Sequence, residues 1–179
     1  MNPLLSIFDV LLTPLYILGA YAYGYYVTKK NIRTNPEYAY FTKGLMVRII
    51  GAIALGLVYF FYYSGGDTTN YFQTSSAYAK LILTDVNDFW IGWLGDGKGY
   101  YFTFDDFTGY PVYTPRDSHS FFVVRLLIPI VTLGYHTYFS TAVLVACITY
   151  GGLWKLYQTF LQEFPDLKKR YWGQHFWAS

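Results

Sequence analysis

The sequence predicts an all-α, polytopic membrane protein, and three observations carry that prediction. Only 13% of the 179 residues are charged and 54% are hydrophobic, where ordinary soluble domains carry about 25% charged residues. Three stretches are apolar over the roughly 20 residues that a spanning helix needs. Aromatic residues make up 23% of the chain, with 21 tyrosines and five tryptophans. Tyr and Trp gather where bilayer meets water, because ring and polar tip are both satisfied there. The first partner is therefore a lipid bilayer. A formal charge of +2 is too small to imply nucleic acid.

Residues 3–27 form the first predicted span, with Asp9 near one end and Pro14 inside; membrane helices tolerate such a proline as a kink. The stretch lacks a basic start and a small-residue cleavage site, so it reads as a span and not as a signal peptide. Residues 45–63 form the second, with Arg48 close enough to its start to snorkel. The third is 138–161, which holds the single cysteine, Cys147, as a small lipid- or helix-facing residue. One cysteine excludes an intrachain disulfide.

Residues 64–120 alternate glycine, aspartate and aromatic residues, a composition too aromatic for disorder. Within them, 69–83 shows helical spacing of Tyr71, Phe72, Ser75, Tyr78, Ala79 and Ile82 on one face, with Asn70, Gln73, Thr74 and Lys80 elsewhere. This predicts an amphipathic helix lying in the interface. Residues 121–134 are apolar but short, with Arg125 and Pro129 inside, which suits an interfacial helix better than a span.

Charge sets the orientation. Lys29, Lys30, Arg33, Lys43 and Arg48 cluster between the first two spans, and Lys168, Lys169 and Arg170 follow the third. The positive-inside rule places both groups in the cytoplasm. Seven aspartates against Lys80, Lys98 and Arg116 place the long loop outside. The expected regions are 1–63, two spans with a basic cytoplasmic loop; 64–137, an extracytoplasmic loop with interfacial helices; and 138–179, a span with a basic turn. The closing "YWGQHFWAS" reads as the opening of another membrane segment, so the sequence is expected to be the N-terminal part of a longer protein.

No repeat, P-loop, dinucleotide fingerprint, zinc-ligand spacing or nucleophile elbow is present. "GDGKG" at 95–99 lacks the serine or threonine and the helix of a phosphate loop and reads as a turn. Asp105–Asp106 reads as a solvated turn before a second acid site or calcium loop. His119 and His136 lack metal-ligand spacing. Trp90, Trp93, Tyr100 and Tyr101 are belt anchors by default and stacking surfaces for sugars otherwise. Arg125 must snorkel or find an anion, with a lipid phosphate, a headgroup or Asp117 as partners.

The residue that raises the functional question is Asp67, in "YYSGGDTTNYF". One reading makes it an exposed helix-end residue or the cap of the following helix, with Gly65 and Gly66 ending the span through a left-handed cap. The other makes it a working acid at the membrane surface, able to take a proton from a sugar hydroxyl or to ligate a divalent metal beside a diphosphate.

The order of span, acid, long external loop and "SFFVVRLL" segment resembles the start of polytopic glycosyltransferases of the GT-C class. "YYSGGDTTNYF" and "DSHSFFVVRLLIPI" are similar to segments of uncharacterised bacterial membrane proteins related to that class, including those of Bacteroidetes. The resemblance covers about 58–161, and the chain departs from it by carrying a further helix, 3–27, ahead of the acid-bearing one. It implies a multi-pass protein of the bacterial inner membrane that transfers a sugar from a polyprenyl-phosphate carrier at the outer leaflet. By position, Asp67 is then the catalytic base or metal ligand, and Arg125, Asn70 and Tyr71 contact substrate. The rival expectations are a non-enzymatic protein, such as a transporter half or envelope-assembly component, and a polysaccharide polymerase.

Overall fold

The computed structural model describes residues 6–96 and 102–164. All regular structure among these residues is helical. Three helices are long and apolar enough to cross a membrane. The first is α1, Ile7–Asn31. The second is α2, Phe41–Phe61, entered through a 3₁₀ turn at Pro36–Tyr40. The third is the last helix of the chain, Tyr138–Glu163. Between them lie α3, Asp67–Thr84, α4, Val86–Leu94, and α5, Ser118–Leu133; the last span is therefore α6. The spans begin and end within one or two turns of the expected positions. The basic tail after the third span, the closing aromatic segment, Lys98, Tyr100 and Tyr101 lie outside the described residues.

The three long helices pack as an antiparallel bundle around Phe41, Leu45 and Ile49 of α2, Ala20 of α1, and Val143, Ala146, Tyr150 and Trp154 of α6. Phe41 meets Tyr150 and Trp154 edge-on at 5.2 and 5.0 Å, and the Tyr150 hydroxyl donates to the Phe41 carbonyl at 2.9 Å. These contacts tie the start of α2 to the far half of α6 and define a basic end, with Lys29 and Lys30 in the last turn of α1. At the other end, Phe60 meets Tyr138 at 4.7 Å. That end carries everything between α2 and α6. Outward, α1 exposes Ile7, Phe8, Val10, Leu11, Leu15 and Leu18. An apolar surface of that extent calls for lipid, because water would penalise it.

The helix α3 differs from the expectation of an interfacial helix with one wet face. Residues 74–79 are all buried, Thr74, Ser75 and Ser76 among them. Its apolar side packs with Phe89 of α4 and with Phe121, Val124 and Ile128 of α5. Its polar side is covered by residues 102–117, which have no regular structure but supply backbone partners. The Thr74 hydroxyl oxygen accepts from the amides of Val112 and Tyr113 at 3.0 and 3.1 Å. Ser75 donates to the Tyr71 and Val124 carbonyls at 2.7 and 3.2 Å. These buried hydroxyls of α3 are tolerated because they are hydrogen-bonded. As expected, α5 is short of a span. A small cluster of Phe60, Phe72, Val131, Tyr138 and Phe139 joins this cap to the bundle.

One junction was not foreseen. The Asp9 carboxylate, 3% exposed, accepts from the Phe139 amide at 3.0 Å and from the Ser6 amide at 3.1 Å. It caps its own helix and that of α6 together.

Candidate functional site

The stretch around Asp67 begins where α2 ends. Ser64 adopts φ 55°, so serine and not glycine is the left-handed residue after the helix; Gly65 and Gly66 follow at φ 138° and 155°. Those two values are open only to glycine at ordinary cost. Moreover, a β-carbon on Gly66 would overlap the Tyr59 ring. The glycine pair therefore lets the chain double back tightly against the end of the span.

Gly66, and not Asp67, occupies the capping position of α3. The Thr69 hydroxyl fills the capping role, accepting from the Gly66 amide at 2.9 Å and donating to the Gly66 carbonyl at 2.7 Å. This overturns the capping role of Asp67 and leaves it an exposed helix-end residue. The carboxylate, the first residue of the helix, is exposed, and the Tyr113 hydroxyl donates to it at 3.5 Å.

Tyr113 lies far away in sequence and reaches Asp67 because the 102–117 segment runs back along α3. Lys80 donates to the Phe107 carbonyl at 3.1 Å and Gln73 to the Tyr110 carbonyl at 2.9 Å. With the two amides held by Thr74, these bonds bring the Tyr113 ring onto Tyr71, stacked at 4.9 Å and 26°. Asn70 lies beside the Tyr113 hydroxyl. Burial first, and then the Asp67 charge, raise the pKa of this phenol against the lowering effect of Asn70. It stays a protonated donor at neutral pH.

Thus Asp67, Asn70 and Tyr71 come together, with Tyr113 as the member that sequence reading missed. No local pattern marks Tyr113; only the tertiary course of the loop does. The result is a carboxylate, an amide and a phenol beside a two-ring platform. Thr68 and Tyr71 also line a groove between α2 and α6, while Asp67 stays on the surface beside it.

Arg125 is placed elsewhere. Its guanidinium donates to the Gly95 carbonyl at the end of α4 and lies 5.2 Å from the Phe121 ring centroid. Phe121 packs against Tyr78, which stands eleven residues beyond Asp67 on α3, about 16 Å of helix. Asp117, one of the partners considered for it, instead caps α5 by accepting from the Ser120 amide at 3.4 Å. The buried Nε of Arg125 has no acceptor among the described residues.

The remaining candidates have local roles. Asp105 accepts from the Thr108 amide and hydroxyl at 2.8 and 3.0 Å, a self-contained turn. Those bonds lower its pKa. The Trp90 and Trp93 rings stack at 5.5 Å, and Trp93 donates to the Arg125 carbonyl at 3.2 Å. The His136 Nδ1 faces the Ser76 hydroxyl at 3.2 Å, while His119 is exposed on the first turn of α5. Among the described residues no group of three or more His, Cys, Asp or Glu side chains could hold a metal ion. A divalent cation at Asp67 would have to draw its other ligands from substrate phosphate and water.

The chain matches no family model, no curated protein and no solved structure.

Proposed function

We propose that this chain is part of a multi-pass membrane glycosyltransferase of the bacterial inner membrane that takes its sugar from a polyprenyl-phosphate carrier at the outer leaflet. One observation carries the reading. The Asp67 carboxylate stands at the end of a span, next to the stacked Tyr71–Tyr113 pair and the Asn70 amide. Stacked rings offer a flat apolar face to a sugar, and the amide and phenol offer hydrogen bonds to its hydroxyls.

The step asked of Asp67 is general-base catalysis. The carboxylate takes the proton from an acceptor hydroxyl. That oxygen attacks the anomeric carbon and forms the new C–O bond. The bond from that carbon to the carrier phosphate breaks on the opposite face, and the phosphate leaves with the electron pair. The configuration at the anomeric carbon inverts. Asp67 is exposed, and the hydrogen bonds of a general base tighten only once substrate is bound. The Tyr113 hydroxyl orients the carboxylate. Arg125 is assigned no part in this step, since its guanidinium is held at the end of α4.

The test uses membranes containing the full-length protein and a polyprenyl-phosphate pool carrying radiolabelled sugar. Label should move to an acceptor only when the protein is present. Unchanged carrier label after prolonged incubation, across the host's own lipid-linked sugars, contradicts the reading and favours a non-enzymatic envelope protein.

A further inference from the structure

A groove of about 390 Å³ runs between α2 and α6, a volume within the usual range of ligand sites. At the loop end it is closed by Thr68, Tyr71 and Phe72 of α3, and along one flank by Val123 and Leu127 of α5. Its walls are apolar over most of their length. At the opposite end stands one charge, Arg48. Arg48 lies eight residues before Gly56 on α2, about 12 Å deeper along the helix. Its guanidinium donates to Thr149 Oγ1 at a long 3.4 Å, and no carboxylate among the described residues pairs with it.

A guanidinium inside a spanning helix requires an anion or access to water. Its five donors in a planar fork match a phosphate, which can accept two of them at once. The order of chemistry along the groove is then cation first, apolar trough after, running from the basic side toward the loop end. A phospholipid in the leaflet on the basic side presents that order: phosphate at the interface, acyl chain toward the bilayer centre. The floor is open at Gly51, where a β-carbon would meet nothing within 4 Å.

We propose that this groove binds one anionic phospholipid from the leaflet on the basic side, its phosphate on Arg48 and one acyl chain along α2 and α6. The site is independent of the Asp67 reading: a carrier lipid presenting its sugar to Asp67 would keep its phosphate at the loop end, away from Arg48.

Native mass spectrometry of the full-length protein tests this, after purification from nanodiscs of phosphatidylglycerol or of phosphatidylcholine. One phosphatidylglycerol should be retained per chain, in preference to phosphatidylcholine. Arg48→Gln should weaken that retention by about tenfold, the scale of one charge-assisted contact. Gly51→Leu fills the trough without touching the charge and should reduce retention as well, so the proposal stays decidable should Arg48→Gln fail to fold. Inorganic phosphate should not compete. Equal retention of the two lipids, retention unchanged by Gly51→Leu, or displacement of phosphatidylglycerol by an equimolar polyprenyl phosphate would each overturn it.

Discussion

The carboxylate of Asp9 and the backbone N–H of Phe139 lie 3.0 Å apart, 130 residues distant in sequence. Thr137, at the capping position of α6, makes no side-chain cap of its own. Asp9 supplies it from the neighbouring helix, with its charge at the positive end of the α6 dipole. An acid in a span is costly unless it is paired or hydrogen-bonded, and here each oxygen is bonded. Asp9→Ala should cost about 1–2 kcal/mol, the upper range of a lost cap. Asp9→Asn keeps an acceptor and should cost less. Reversible unfolding in mixed micelles measures both; equal losses would show that charge, not acceptance, matters.

Gly66 and Gly51 make a paired test of the turn. Gly66→Ala places a β-carbon into the Tyr59 ring at φ 155°, and strain of that kind costs about 1–3 kcal/mol. Gly51→Ala meets nothing and sits in a helix, where alanine is favoured by up to about 1 kcal/mol. The same unfolding experiment should lower stability for the first and leave or raise it for the second.

Thr69→Val removes the hydroxyl that bridges the Gly66 amide and carbonyl while keeping the shape. The loss should be about 1 kcal/mol, appearing as faster hydrogen exchange in the first turn of α3. Unchanged exchange there would mean that another group caps the helix.

His136 makes stability depend on pH. Its pKa lies below the ordinary 6.5, first through burial and then through Lys80. A folded value below the unfolded one means that the unfolded chain takes the proton more readily. Stability is therefore full above 6.5 and is lost as pH falls through the depressed value. The melting temperature should drop from pH 7 to pH 5, and His136→Gln should flatten that slope. An identical slope in the variant would place the titration elsewhere.

The spans were legible because lipid demands a continuous apolar surface, and composition alone reports it. The shortness of α5 was legible for the same reason. The enclosure of α3 was not. Thr74 reads as part of the wet face, and only the return of 102–117 along the helix supplies its partners, while Ser75 and Ser76 find theirs in α3, α5 and His136. The same return creates the site's second ring. Asp67, Asn70 and Tyr71 are local to one helix turn and could be grouped by eye, but Tyr113 is joined to them by backbone bonds that no spacing encodes. Arg125 was legible only in part: a charge in an apolar stretch implies a partner, and the one seen is a backbone carbonyl at the end of α4 that no spacing encodes.

The measurement that bears most directly on the proposed chemistry is sugar transfer by Asp67→Asn in the full-length protein, read beside its membrane abundance. The amide matches the carboxylate in size, and Thr69 caps the helix in either case, so abundance should be unchanged. Transfer should fall about 10²–10⁴-fold, the usual loss of a general base. Transfer at the native rate by Asp67→Asn would contradict the account.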